Sequence, residues 1–430
     1  MPGLLRQPSF ARLWTAGLIS QLGDWLLLLS LPLYVYERTG SSLATGATFA
    51  AGLLPRMVIG SLAGVLVDRW DRKLTMVVAD VARAALLLLL LLVQSPDWLW
   101  LVYVVAFGES TLALFFEPAN GAVRPRLIVG NAPLERMSER LVAGNALFAQ
   151  RDAIIRLVGP PLGGALLGLL GLPALVLLDS ASFTISGILI LFVHLPPFAP
   201  DAALAGSRMP TRSTGVWLRT WRDWLAGLAL IRFQPLLRGL FAVEAVRMLA
   251  DGIVGASLAI FVKQVLGGDG QTLGWWVTCN AVGGLVGGTL LGRVHRRIRP
   301  GTSFGLGLLL AGALALIRTN VPVLTLTFMV NAVIGAVWIG SRVSQQTLLQ
   351  ASTADQFRGR VLGALGAMQA LMMLAGAGFA GLFGDQWGVV TMFNVMGSLY
   401  ILSGVLALTL LSRADQALPP TIQFRVQPAY

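Results

Sequence analysis

The sequence predicts an all-α integral membrane protein, with twelve transmembrane helices in two six-helix, pseudo-symmetric bundles. Three observations predict it. First, 56% of the 430 residues are hydrophobic and only 12% are charged, with mean hydropathy +0.75. Soluble domains run at about 45–50% apolar and about 25% charged, so this chain could not cover a water-facing surface. Second, apolar runs such as Ala84–Val93 and Leu308–Ile317 recur within stretches of bilayer-spanning length, about 20 residues for a helix. Third, the basic residues gather in every second loop.

The expected spans lie near 11–36, 43–67, 74–94, 97–122, 142–170 and 172–195, then 236–266, 271–292, 302–318, 321–349, 361–384 and 387–411. They are helices because open strands leave backbone groups unsatisfied in lipid. The first apolar run is long and lacks a small-residue cleavage site, so it reads as a retained span rather than a signal peptide. The N-terminal stretch carries Arg6 and Arg12. Arg69, Arg72 and Lys73 follow span 2, and Arg124, Arg126, Arg136 and Arg140 follow span 4. Arg293, Arg296, Arg297 and Arg299 follow span 8, and Arg358 and Arg360 follow span 10. The opposite loops hold only Arg38, Lys263 and Arg318. The positive-inside rule then expects both termini in the cytoplasm. A nucleic-acid surface would not alternate with loop parity, so the +12 net charge implies no nucleic-acid partner.

Residues 196–235 interrupt the pattern with Leu195-Pro196-Pro197 and a stretch rich in Pro, Ala, Arg and Ser. Trp217, Trp221 and Trp224 recur there at helical spacing, as in an amphipathic interfacial helix. The expected domains are therefore a six-helix bundle over 1–195, this cytoplasmic linker, and a second bundle with a short tail over 236–430. The halves echo one another. Gly64 through Lys73 after span 2 and Gly288 through Arg297 after span 8 place Gly, Leu, Arg, Arg and a final basic residue in register. Repeated halves suit a transporter in which two units rock around a central site.

The first of these loops resembles the signature of the major facilitator superfamily, Gly-x-x-x-Asp-(Arg/Lys)-x-Gly-Arg-(Arg/Lys). Gly64, Asp68, Arg69, Arg72 and Lys73 match, and Asp71 stands where the second glycine is usual. In span 5, Gly159-Pro160-Pro161-Leu162-Gly163-Gly164 is similar to the Gly-Pro-x-x-Gly-Gly motif of the family's drug:proton antiporters, with Ile155 replacing an upstream glycine. Asp80-Val81-Ala82-Arg83, Asp179-Ser180-Ala181-Ser182-Phe183 and Arg358-Gly359-Arg360-Val361 resemble the bacterial branch of enterobactin exporters and macrolide-efflux-like proteins. The resemblance covers nearly the whole chain. It implies the major facilitator fold and a monomeric secondary transporter with small-molecule substrate, protons and lipid as partners. Physically, Asp68 suits a cap on the N-terminus of span 11, where the helix dipole favours negative charge. Glu117 is placed to pair with Arg72 as a cytoplasmic gate. Gly159, Pro160, Gly163 and Gly164 suit a kink and a close helix crossing.

Ionisable groups at bilayer depth are costly unless paired or wet, so each is a functional candidate. Asp24 in span 1, Arg56 in span 2, Glu109 in span 4 and Arg156 in span 5 fall at similar depths in one half. They fit either a proton carrier, in which burial and a nearby arginine oppose each other at a carboxylate, or a static ion-pair network. Glu244, Arg247 and Asp251 follow at spacings of three and four along one face of span 7, as a self-neutralised strip or a second coupling site. Trp338, Gln345 and Gln369 are the expected substrate-cavity residues. Trp275 and Trp276 read as interface anchors. No Gly-x-x-x-x-Gly-Lys-(Ser/Thr) loop is present. Two histidines and one cysteine supply no metal centre, cofactor site or nucleophile of an enzyme. The expected function is proton-coupled export of hydrophobic or amphipathic small molecules by alternating access. Transport of one metabolite such as a siderophore is the alternative.

Overall fold

The computed structural model describes residues 2–67, 69–130, 134–195, 234–295, 299–353 and 355–415. Every described segment is helical or a short connection between helices. In the N-terminal half the helices are α1 (Pro2–Leu5), α2 (Pro8–Leu28), α3 (Ser30–Thr39), α4 (Ser42–Val58) and α5 (Gly60–Val67). They continue with α6 (Arg72–Leu87), α7 (Trp100–Val129) and α8 (Leu134–Leu191). The C-terminal half holds α9 (Pro235–Gln264), α10 (Gly270–His295), α11 (Pro300–Asn320), α12 (Leu324–Ser352), α13 (Asp355–Trp387) and α14 (Val389–Asp415).

The breaks have local causes. Pro32 has no N–H to give Leu28, and the helix of span 1 parts between α2 and α3 at that point. Helix α8 runs for 58 residues but is non-helical at Gly171, whose φ of 72° and ψ of 172° suit glycine. The expected spans 5 and 6 therefore meet at Gly171. Asp71 explains the departure from the family loop. Its carboxylate accepts the Leu74 N–H at 2.7 Å and its carbonyl accepts the Thr75 hydroxyl at 2.8 Å, so it is the N-cap of α6. At the other end of the chain's loops, Asp269 accepts the Thr272 N–H at 3.0 Å, which holds its carboxyl below the usual carboxylate range.

Among the described residues, nine helical stretches are long and apolar enough to cross a membrane. The protein is a multi-pass, all-helical membrane protein. Its chain forms two compact units, Met1–Leu31 with Ala51–Arg219, and Pro32–Ala50 with Thr220–Tyr430. The first unit is centred on Phe10, Met76, Val123 and Phe148, with the two Phe rings 5.4 Å apart. The second is centred on Phe261, Trp276 and Phe393, where Phe261 stacks on Phe393 at 4.2 Å. Within this second unit, the end of span 1 and the start of span 2 pack on α9 and α13. Gly255 faces the Phe49 ring, and the Ser42 N–H donates to Asp385 at 2.8 Å.

Candidate functional site

The first unit brings acids from different helices onto one arginine. Asp24 sits on α2, Arg83 on α6 and Glu109 on α7. The Arg83 Nη2 donates to Asp24 Oδ1 at 2.6 Å, and its Nε donates to Glu109 Oε2 at 2.6 Å. The guanidinium lies 3.9 Å over the Phe183 ring of α8. The Arg83 side chain is only 10% exposed, whereas Asp24 is 39% exposed and can meet water or a ligand. The expected pairing is corrected here. Arg56 and Arg156 are exposed, and the cation that neutralises Asp24 and Glu109 is Arg83. Residues between helices are brought together by packing, which charge spacing along the sequence does not reveal.

The glycine motif positions this triad. A Cβ on Gly159 would fall 2.8 Å from the Trp25 ring, and one on Gly163 would fall 2.9 Å from the Trp25 carbonyl oxygen. Pro160 and Gly164 are buried beside them. The motif thus lets α8 approach α2 at the residue next to Asp24. Gly17, about two turns before Asp24, makes room for the buried guanidinium of Arg151, which holds Asp152 at 2.7 Å.

The second unit carries its triad on one helix. Arg247 donates to Glu244 at 2.8 and 3.0 Å and to Asp251 at 2.8 Å, all within α9. Other helices add polar contacts. The Gln369 amide donates to Glu244 at 2.8 Å, and the Tyr400 hydroxyl donates to Asp251 at 2.5 Å. Trp338 stands edge-on to Tyr400 and lies 5.2 Å beneath the Arg247 guanidinium. Gln369 and Trp338 therefore belong to this cluster, while Gln345 is half-buried on α12. Asp24 and Asp251 each stand sixteen positions after the proline that opens their helix, Pro8 and Pro235.

One of the two expected anchor tryptophans differs from expectation. Trp276 is buried rather than an anchor, with Arg318 stacked 4.0 Å from its ring and bonded to Asn331 at 2.9 Å. Trp275 is exposed, as an anchor would be. At the loop between spans 2 and 3, Gly64 lies in α5, Arg69 and Glu117 are exposed, and Arg72 and Lys73 open α6. The loop is held by Trp70 stacking on Phe115 at 5.7 Å. Asp68, the linker helix around Trp217–Trp224 and the side chains of Arg358 and Arg360 lie outside the described residues.

Sequence reasoning passed over Asp80, Arg83 and Asp179 as charges, though the same membrane-depth criterion selects them. Asp80 and Arg83 stand three apart in an apolar span, and Asp179 sits amid Leu and Ser.

A family model described as the Major Facilitator Superfamily matches residues 13–243 and 240–428. The chain belongs to that superfamily. It is a transporter, not an enzyme, and its setting is the membrane. It is 27% identical to macrolide efflux protein A of Streptococcus pyogenes, over 91% of this chain and 93% of that one. It is 24% identical to the multidrug efflux pump Tap of Mycolicibacterium fortuitum, over 92% and 94% of the two chains. Among solved structures, a bacterial homologue of the iron transporter ferroportin in its inward-facing state superposes with a TM-score of 0.71. Its identity is 15%, over 95% of this chain and all of that one, which supports the fold alone.

Proposed function

We propose that this superfamily member is a proton-coupled exporter of hydrophobic or amphipathic small molecules, working by alternating access through twelve spans with both termini in the cytoplasm of the inner membrane. The observation that carries the coupling is the Asp24–Arg83–Glu109 triad, two carboxylates from different helices sharing one cation. Protonating either acid removes an ion pair that ties two helices, so proton binding alters the balance between conformations. Macrolide efflux and multidrug efflux are the roles that two relatives matching nearly the whole chain are named for. Trp338, Gln345 and Gln369 supply aromatic and amide contacts for the substrate.

The test is transport of erythromycin and of ethidium in proteoliposomes, with and without an imposed pH gradient. Asp24→Asn and Glu109→Gln are expected to abolish uphill export while retaining downhill exchange. Wild-type uphill export in both variants would shift the coupling role to Glu244 and Asp251. Reporters fused after Tyr430 and between Gly268 and Gln271 are expected on opposite sides of the membrane.

A further inference from the structure

Arg83 faces more acid than it can neutralise. Asp80, three residues before it on α6, is fully buried. Its Oδ2 accepts the Ser186 hydroxyl at 2.7 Å, and its Oδ1 has no hydrogen-bond partner. Asp179, on α8, is 2% exposed and accepts the Ser182 hydroxyl at 3.1 Å. The fold makes room for it. A Cβ on Gly23 would stand 2.2 Å from the Asp179 carboxyl, so the residue beside Asp24 must lack a side chain. On the Asp80 side α8 passes close to α6 at Gly187, where a Cβ would make ordinary contact with the Asp80 Cβ at 3.6 Å. The charged groups facing Asp80 are Arg83, Asp24 and Glu109, and those facing Asp179 are Asp24, Glu109 and Arg83.

Four ionised carboxylates around one guanidinium would leave three uncompensated charges in an apolar bundle, each costing several kcal/mol. A neutral carboxylic acid removes that cost, and a serine hydroxyl can serve it as donor or acceptor. Asp24 and Glu109 hold the cation directly, so the surplus falls on the two acids served only by serines.

We propose that Asp80 and Asp179 are a proton store, neutral while Arg83 is held by Asp24 and Glu109, and that Asp80 takes over Arg83 and gives up its proton when Asp24 is protonated. The inference rests on Asp24 and Glu109 as the exchanging pair and adds the groups behind them. In the step, an O–H bond forms on Asp24 and its ion pair to Arg83 Nη2 ends. Arg83 turns to Asp80, one helical turn away on its own helix. The Asp80 O–H bond breaks, and the proton passes to Glu109, whose Oε1 has no hydrogen-bond partner. The cluster gains one proton overall, which takes it from one net negative charge, two carboxylates on one guanidinium, to neutrality.

Infrared spectroscopy of the full chain in lipid nanodiscs tests this without any substrate. At neutral pH the wild type is expected to show C=O stretching of buried protonated carboxyls, one component lost in Asp80→Asn and another in Asp179→Asn. Asp24→Asn, which imitates protonated Asp24, is expected to lose the Asp80 component as well. An unchanged spectrum in both Asp80→Asn and Asp179→Asn overturns the store, and an Asp80 component that survives in Asp24→Asn overturns the exchange. If Asp80→Asn does not fold, Ser186→Ala replaces it. Loss of the hydroxyl should move the Asp80 component to higher frequency, and an unmoved band overturns its assignment. Uphill flux is a separate reading. Wild-type export by Asp24→Asn and Glu109→Gln would reject the coupling role, whatever the spectra show.

Discussion

The two carboxylate–arginine triads have the same composition and opposite construction. In the first unit, Asp24, Arg83 and Glu109 come from α2, α6 and α7. In the second, Glu244, Arg247 and Asp251 come from α9 alone, at spacings of three and four. A triad within one helix forms wherever that helix forms. It neutralises the helix and travels with it. A triad across three helices exists only while those helices keep their positions, so its ion pairs report and oppose their movement. The coupling proposed above therefore falls on the first. The second is tied to its neighbours by neutral donors, Gln369 and Tyr400, which remain satisfied whichever acid is charged.

The largest expected effect separates the triads directly. Arg83→Gln leaves Asp24 and Glu109 without their cation. Removing one partner of a buried ion pair typically costs about 3–5 kcal/mol. Arg247→Gln leaves Glu244 and Asp251 with Gln369 and Tyr400 still donating to them. Thermal unfolding in detergent is expected to show the greater loss for Arg83→Gln, along with loss of erythromycin export. Equal loss in both variants would mean that the two arginines do the same structural work and that the contrast fails.

A second prediction concerns the glycine crossings beside each aspartate. On Gly252, next to Asp251, a Cβ would fall 2.0 Å from the Met373 carbonyl oxygen. On Gly163 it would fall 2.9 Å from the Trp25 carbonyl oxygen. Both obstacles are backbone, which yields only if helices part. Overpacking of this kind costs about 1–3 kcal/mol, and Gly252→Ala is expected at the upper end with Gly163→Ala below it. Melting temperatures of the two variants check the order. Gly163→Ala should in addition disturb export out of proportion to its stability loss, because the displaced residue adjoins Asp24.

How far the sequence disclosed these sites follows from their construction. Helices, their approximate ends and the break near Gly171 were legible because apolar length and glycine placement are local properties. Glu244, Arg247 and Asp251 were legible as a strip because helical spacing alone joins them. Asp24 and Glu109 were legible as charges at depth, but their partner was not. Choosing Arg83 over Arg56 or Arg156 requires knowing which helices adjoin and which faces they present. Asp71 shows the same limit in reverse: it looked like a lost glycine, and its capping bond to Leu74 becomes evident only once α6 has a defined first turn.

The smallest effect belongs to an ion pair that belongs to neither triad. Lys263, near the end of α9, donates to Glu37 of α3 at 2.8 Å, and both side chains are 44% exposed. Like the pairs of the first triad it ties one helix to another, and like a surface pair it is exposed. If joining helices were enough to make a charge pair matter, Lys263→Ala would rank beside Arg83→Gln. If burial decides, it would scarcely register, since exposed pairs contribute about 0.2–1 kcal/mol and are screened by salt. The expected result is a melting temperature close to wild type, with any difference vanishing at high salt. The Ser42 N–H donated to Asp385 and the Tyr36–Gln264 hydrogen bond would remain to hold the same region. A large, salt-resistant loss in Lys263→Ala would show that linkage between helices outweighs burial, and the distinction drawn between the triads would then rest on connectivity alone.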